Sequence, residues 1–331
     1  MRYKAALTVT VMASALLLCA PFWSKKDGED KAVKTEKNET EKQISINPGF
    51  PFQESEIFFT DPYTYLEPPV KDRIGMALDL DYTRVRFPYG FVNTVTPDKT
   101  PIKYKKRIKV EDEKELKRIK EMSGFEKGGP VTVISLSGKA YPARVRGFSY
   151  VGNSPSTVIV CADLEIKADS PDQSLFNSPG IAIRGEREIS PGGLSAEAPL
   201  GPDAPLAEKL FDLCVGERSS RFVFENKTVR PANLVEGEGP YYFVSFWRHP
   251  AEDYEIDDVE LKACMLHSQN GVWRKMVLPI PLELIQVYDL DGNGKAELFA
   301  TTGDSSRMCL SFLVPEDKGY RILRQGLCSG Y

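Results

Sequence analysis

The sequence contains few histidines and none of the short motifs that mark the common catalytic and metal sites. Only two histidines occur among 331 residues, His249 and His267, and no two of the six cysteines are spaced as C-x-x-C. A zinc site of the usual Cys and His kind therefore has too few ligands. The G-x-S-x-G, H-E-x-x-H and P-loop patterns are also absent, so the sequence offers no standard site for a serine hydrolase, a zinc protease or a P-loop enzyme.

The chain also lacks a strong excess of charge of either sign. It has 43 basic Lys and Arg residues and 47 acidic residues, which gives a formal net charge of −4. Proteins that bind nucleic acid usually carry a surplus of basic residues, and no basic patch with interleaved aromatic residues is apparent. We therefore expect no nucleic-acid partner. The hydrophobic share of 41% is ordinary for a globular protein, and the length predicts about two domains.

Residues 1–23 are predicted to direct export. Their start is positively charged and residues 5–23 carry no charge, which is the pattern of an export signal. Three fates are compatible with it: cleavage at the small residues 13–15, lipidation at Cys19 after a lipobox-like run of leucines, or retention as a span of about 20 apolar residues. We expect the segment to be cleaved, either at residues 13–15 or before a lipidated Cys19, in preference to being retained. The protein then belongs in the periplasm, the outer envelope or the extracellular space, with a lipid anchor if Cys19 is modified.

The rest of the chain divides by composition into four segments. Residues 24–46 are charged and polar without aromatic residues, which is typical of a disordered linker. Residues 47–177 form a predicted β-rich N-terminal region, and residues 204–331 form a predicted C-terminal β domain. Between them, residues 178–203 are rich in Pro, Gly and Ser and are predicted to be a loop-rich seam.

Strand patterns dominate both regions, and two short helices interrupt them. Prolines and aromatics over residues 47–101 predict irregular structure, with short strands near Arg84–Phe87. Helical patterns occupy Glu111–Met122 and Ala204–Val215. The strongest hairpin signal is Asn270-Gly271, which lies between two strand-like segments. We therefore expect a mainly β fold in which antiparallel hairpins form a β-sandwich or propeller-like blades.

Cysteine pairing can be predicted for the last hairpin. Five cysteines remain when Cys19 is set aside, so at least one must be unpaired. A hairpin that turns at Lys318-Gly319 places Cys309 opposite Cys328 if no bulge intervenes. Opposed residues have Cα atoms about 4.5 to 5.5 Å apart, which lies within the range that a disulfide bridges. We therefore predict a Cys309–Cys328 disulfide.

The stretch with the most specific chemistry is D-L-D-G-N-G-K-A-E-L, residues 289–298. Acidic or amide side chains stand at its positions 1, 3, 5 and 9, and two glycines allow the backbone to curl tightly. Calcium takes roughly six to eight oxygen ligands, and alternate side chains of such a loop converge on one point. The predicted ligands are the side chains of Asp289, Asp291, Asn293 and Glu297 and the backbone carbonyl of Lys295.

This loop resembles the calcium loop of FG-GAP and VCBS-type repeats. In that family a D-x-D-G-[DN]-G-x-x-[DE]-[LIV] segment joins two strands of a β-propeller blade, and here the flanks at 284–288 and 298–302 are strand-like. An EF-hand is not expected, because position 12 is Ala300 instead of Glu. Asn293 stands where the family more often has Asp, and no second copy of the motif occurs in the sequence. The resemblance implies a structural calcium ion.

Two functions are compatible with these features. The favoured hypothesis is an exported, non-catalytic binding or structural module with one calcium site and an envelope or extracellular partner. The alternative is a secreted hydrolase that uses carboxylates near the calcium loop, for example from the acidic run 252–258. Two carboxylates facing each other across a cleft at about 5 to 10 Å would favour the hydrolase. The crowding of acidic residues in that run is more typical of a solvated surface.

Overall fold

A computed structural model describes most of the chain after residue 49. The described ranges are 50–60, 73–78, 107–154, 157–189, 194–201, 203–216, 221–252, 258–276, 278–303, 307–316 and 319–330. They all belong to one compact unit, Asn47–Tyr331. The predicted export segment with Cys19, the linker 24–46, the strands near Arg84–Phe87 and most of the acidic run 252–258 lie outside the described residues.

The described part is mainly β, as predicted. The strands are β1 (Ile57–Thr60), β2 (Arg73–Ala77), β3 (Arg107–Lys109), β4 (Pro130–Ile134), β5 (Ala140–Ser154), β6 (Thr157–Ile166), β7 (Gly180–Arg184), β8 (Phe222–Ala232), β9 (Tyr241–Pro250), β10 (Glu260–Gln269), β11 (Val272–Met276), β12 (Leu282–Tyr288), β13 (Glu297–Gly303), β14 (Arg307–Glu316) and β15 (Gly319–Gly330). The helices are α1 (Glu113–Ser123), α2 (Ser174–Asn177) and α3 (Pro205–Val215). A three-residue 3-10 helix precedes β1.

The two longer helices, α1 and α3, are those that the sequence predicted, and their ends follow from local signals. Helix α1 begins after Asp112, whose carboxylate accepts the backbone N–H groups of the next turn at 2.9 and 3.0 Å. It ends at Gly124, which has a positive φ of 74° and so adopts the left-handed cap that glycine tolerates. Helix α3 begins at Pro205. Proline fits the first helical turn because a backbone N–H at that position would have no hydrogen-bond partner within the helix. The four-residue helix α2 was not predicted.

The first sheet has the strand order β3-β5-β4-β7-β1-β2-β6, and an additional β5–β6 pairing closes six of these strands into a ring. All of its pairings are antiparallel. Strand β1 lies between β7 and β2 in this order, and all four of its residues are buried. The prediction of irregular structure from residue 47 was therefore wrong for β1 and β2. A strand covered on both faces loses the alternating pattern by which strands are recognised.

The second and third sheets each contain four antiparallel strands. Their orders are β11-β10-β9-β8 and β12-β13-β14-β15, so each follows the chain as a simple meander. Four-stranded sheets of this kind are the unit of propeller blades, and they are equally compatible with a sandwich. Two hairpins turn near glycine, β10–β11 and β14–β15, and each consists of the last two strands of its sheet in chain order.

The third sheet packs on the outer face of the ring. Ile57 and Phe59 of β1 share a buried cluster with Phe299 and Phe312, and the rings of Phe59 and Phe299 stack at 5.9 Å. A hydrogen bond joins the same two parts, because the hydroxyl of Tyr288 donates to the carbonyl of Ser135, directly after β4, at 3.3 Å. The end of β12, where the predicted calcium loop begins, is thereby held against the ring.

The Asn270-Gly271 hairpin is confirmed. Gln269 of β10 faces Val272 of β11, so only two residues form the turn. Both have positive φ, 54° for Asn270 and 76° for Gly271. A two-residue turn of this kind matches the right-handed twist of the strands that it joins, which explains why the local sequence was sufficient to predict it.

The Cys309–Cys328 disulfide is also confirmed, with a Cα–Cα distance of 3.9 Å, but the register assumed for it was wrong. Glu316 pairs with Gly319, so Gly319 belongs to β15 and not to a turn at Lys318-Gly319. Two bulges in β14–β15 then shift the register, and Leu327 at the second has a positive φ of 48°. The two bulges compensate for the difference between the predicted and the observed register, and the two cysteines come together.

A second disulfide joins Cys214 at the end of α3 to Cys264 of β10. Cys161 of β6 takes part in neither of these two bonds, and it is buried. Disulfides persist in oxidising compartments such as the periplasm and the extracellular space, so the two bonds suggest such a location. No helix among the described residues is long and apolar enough to span a membrane.

Candidate calcium loop

The predicted calcium loop connects the first two strands of the third sheet. Its flanks are β12 and β13, and Tyr288 pairs with Glu297 across its base. Gly292 and Gly294 have φ values of 69° and 77°, a region that residues with a Cβ rarely occupy. Both glycines are therefore required by the backbone path, and the loop is a strand-to-strand turn as the sequence predicted.

Side chains at alternate positions of the loop accept backbone N–H groups of the same loop. Asp289 Oδ2 accepts the N–H of Gly294 at 3.1 Å, and Asp291 Oδ1 accepts that of Asn293 at 3.1 Å. Asn293 Oδ1 accepts the N–H of Lys295 at 2.8 Å. These bonds turn the oxygens of positions 1, 3 and 5 toward the loop backbone, so that the polar side chains shape the loop.

Two carboxylates of the loop are buried and only partly satisfied. Glu297 is fully buried and Asp289 is 4% exposed. Glu297 Oε2 accepts the N–H of Leu290 at 2.8 Å, but Glu297 Oε1 and Asp289 Oδ1 have no hydrogen-bond partner. A buried carboxylate oxygen without a donor is unfavourable unless a positive charge compensates it.

The carboxyl groups also affect each other. The pKa of Glu297 is raised to about 8, chiefly by burial and also by the charges of Asp291 and Asp289. Burial likewise raises the pKa of Asp291, with a contribution from Asp289. The loop therefore concentrates carboxyl groups at a site that is withdrawn from water, where their ionisation is unfavourable.

The ligand set is incomplete as the side chains stand. Asn293 Nδ2 donates to Asp291 Oδ2 at 2.7 Å, and the side chain of Lys295 is exposed. Within the described ranges no group of three or more His, Cys, Asp and Glu side chains is arranged as the ligands of one metal ion. The buried oxygens of Asp289 and Glu297 nevertheless fit a cation, and the amide and carbonyl ligands of calcium are not among those residue types.

A neighbouring segment that the sequence did not indicate lies along the loop. The N–H of Glu236 donates to the carbonyl of Gly294 at 3.0 Å, and the N–H of Ala296 donates to the carbonyl of Leu234 at 2.8 Å. The carboxylate of Glu236 lies so close that a Cβ on Gly294 would be 3.6 Å from its Oε2. Glu236 thus adds a fourth acidic group to this region. No local signal identifies it, because it is more than fifty positions away in the chain.

Comparison of the chain with protein-family models, with curated proteins and with solved structures gave no match.

Proposed function

We propose that this protein is an exported binding or structural module without catalytic activity, and that its loop 289–298 takes one structural calcium ion. Its partner is a molecule of the envelope or the extracellular space. It is attached to the membrane by its N-terminal segment alone, either as an anchor or through a lipid on Cys19. The export pattern of residues 1–23 and the two disulfides support this location.

The observation that carries the calcium site is the pair of buried, unpartnered oxygens on Asp289 and Glu297. A cation bound by both would supply the missing charge. Calcium suits these residues because it accepts carboxylate, amide and carbonyl oxygens in flexible geometries, whereas magnesium requires a tighter octahedral shell. Asp291, Asn293 and the carbonyl of Lys295 would complete the ligands. When bound, the ion supplies charge compensation and cross-links the loop.

The position of the loop supports an FG-GAP or VCBS-type relationship for the third sheet. In those repeats the calcium loop joins two strands of a four-stranded blade, and here it joins the first and second strands of a four-stranded meander. The second sheet has the same meander order but carries no copy of the motif. A blade-like third sheet with a single calcium site is therefore the proposed form of the relationship.

Calcium should raise the melting temperature of the purified protein. At about 2 mM calcium and a dissociation constant of about 10⁻⁴ M, typical of extracellular modules, binding linkage stabilises the folded state by about 1.8 kcal/mol. This corresponds to roughly 4 to 7 °C for a domain of this size. The measurement is a thermal melt with calcium, with magnesium and with a chelator, and magnesium should have a much smaller effect.

The matched variants are Asp289→Ala and Asp169→Ala. Both remove one carboxylate, but Asp169 is exposed and lies outside the loop. Calcium should no longer raise the melting temperature of Asp289→Ala and should still raise that of Asp169→Ala. If calcium and chelator give the wild type the same melting temperature, the loop is only a turn and the proposed site is wrong.

Cys19 should determine whether the protein stays at the membrane. If Cys19 is lipidated, the protein incorporates labelled palmitate and Cys19→Ser releases it to the soluble fraction. The expected control is Cys161→Ser, which should leave the label unchanged because that cysteine is buried in the folded body. Soluble wild-type protein that lacks its N-terminal segment would contradict the lipid anchor.

A further inference from the structure

A groove on the first sheet lies apart from the calcium loop and carries an excess of positive charge. Its volume is about 640 Å³, and it is lined by β2, β3, β5, β6 and the turn before β4. Two carboxylates line it, Asp163 and Glu165, together with a larger set of cations. The cations are Arg73, Arg107, Lys109, Lys127, Arg144 and Arg146. The groove therefore has four more positive than negative charges, although the whole chain has a net charge of −4.

Strand geometry creates this concentration. Arg107 and Lys109 are two positions apart on β3, so their side chains share a face of the sheet. On β5 the register shifts between Val145 and Gly147. This bulge makes Arg146 an extra residue beside Arg144, and both are exposed. Basic residues from separate strands thereby line one concave surface.

The two carboxylates are already neutralised by neighbouring cations. Asp163 accepts from Arg107 at 3.0 Å, and Arg107 also donates to the hydroxyl of Ser149 at 3.1 Å. Glu165 contacts Lys167 at 2.9 Å and Arg146 at 3.5 Å. The hydrogen bond from Lys167 lowers the pKa of Glu165, and the charges of Lys167, Arg146 and Arg73 lower it further. Lys109 also pairs with Glu111 at 2.9 Å, so three of the six lining cations are held in ion pairs.

Three of the lining cations remain for a ligand. Arg73, Lys127 and Arg144 form no ion pair with any residue in the described ranges, and Arg144 donates only to the carbonyl of Gly128 at 3.1 Å. A concave surface lined by one sign of charge attracts ions of the opposite sign more strongly than a flat surface does. Guanidinium groups also match the geometry of phosphate oxygens.

The size and lining of the groove restrict the ligand further. Pockets of about 300 to 1,000 Å³ suit small molecules, and this volume lies in that range. The aromatic lining residue, Phe148, is only 2% exposed. The described residues of the groove therefore offer no aromatic platform for stacked bases, which proteins that bind single-stranded nucleic acids commonly use. We propose that this groove binds a small ligand with two or more phosphate groups, either a soluble phosphorylated molecule or the phosphate-bearing headgroups of lipids.

The proposal is tested with inorganic tripolyphosphate and the full-length protein. Calorimetry is carried out in calcium-free buffer, because tripolyphosphate chelates calcium and would otherwise affect the loop. The groove variant is Arg144→Glu with Arg146→Glu. The matched control is Lys209→Glu with Arg274→Glu, which makes the same change in net charge at exposed positions of α3 and β11. Circular dichroism checks that each variant folds, and Lys127→Glu provides a second groove variant if the first does not.

The groove variant should bind tripolyphosphate at least about tenfold more weakly, since four charge units change close to the ligand. The control should stay within about twofold of the wild type, because screening by salt limits the effect of distant charges. An equal loss in both variants, or no binding by the wild type, would overturn the proposal. A single-stranded oligonucleotide that binds more tightly than tripolyphosphate would overturn it in favour of nucleic acid.

Vesicles distinguish the two sources of phosphate. Vesicles of phosphatidylcholine and phosphatidylglycerol in equal amounts are compared with vesicles of phosphatidylcholine alone. Binding to the second kind of vesicle measures insertion of the N-terminal segment. Binding that requires phosphatidylglycerol, is displaced by tripolyphosphate and is lost in the groove variant assigns the groove to lipid headgroups. Binding of tripolyphosphate without any such vesicle binding assigns it to a soluble ligand. Because the Asp289→Ala protein should behave like the wild type in this assay, the outcome does not depend on the calcium site.

Discussion

Replacing Cys214 and Cys264 together by alanine should lower the free energy of unfolding by about 4 kcal/mol. The bond joins residues 50 positions apart, and closing a longer loop restricts the unfolded chain more. In the folded protein both cysteines lie in the cluster through which α3 packs on the second sheet. Urea unfolding of the oxidised proteins, followed by circular dichroism, measures the loss.

The matched control removes the other bond by Cys309→Ala with Cys328→Ala. That bond spans 19 positions and joins adjacent strands, so its removal should lower the free energy of unfolding by about 3 kcal/mol. A smaller loss for the Cys214–Cys264 pair than for the Cys309–Cys328 pair would contradict the explanation by loop length. Unchanged stability of both variants would show that the folded protein does not depend on its disulfides.

Phe299→Ala should lower the free energy of unfolding by about 3 to 5 kcal/mol, the usual effect of truncating a buried phenylalanine. Phe299 is fully buried, and its ring stacks on Phe59 in the cluster between the ring of strands and the third sheet. Truncation removes apolar burial and leaves a cavity that the two sheets cannot easily fill. Chemical denaturation of the purified protein measures the loss.

The control is Val272→Ala, because Val272 is 62% exposed on β11 and its truncation should change stability by less than about 0.5 kcal/mol. If the third sheet and the ring unfold as one cooperative unit, Phe299→Ala shifts a single transition. Two transitions, of which only one shifts, would show instead that the third sheet unfolds separately. A loss no greater than that of the control would contradict the packing between Phe59 and Phe299.

Features with a local cause were predicted well. The turn at Asn270-Gly271 and the helices α1 and α3 each depend on residues a few positions apart. The course of the loop between β12 and β13 follows in the same way from its two glycines and its alternating acidic and amide residues. Such signals act before any tertiary contact forms, so they can be recognised in the sequence.

Features that join distant segments were missed or were predicted on a wrong premise. Strand β1 was missed because its burial on both faces is a property of the sheet around it. The Cys214–Cys264 bond was not predicted, because a helix end and a strand fifty positions later have no common register. The Cys309–Cys328 pairing was predicted correctly only because two bulges in β14–β15 compensated for the wrong turn position that the prediction assumed.

The sequence by itself determined the mainly β class, the two longer helices and the backbone path of loop 289–298, because local conformational preferences and short-range hydrogen bonds cause them. Only the tertiary structure decided which carboxylate oxygens of that loop are buried without a hydrogen-bond donor and that Glu236 lies beside them. It also decided that cations from several separate segments surround one groove in an acidic protein. Burial and electrostatic potential depend on which segments meet in space, and a charge that is balanced along the chain need not be balanced within a single surface.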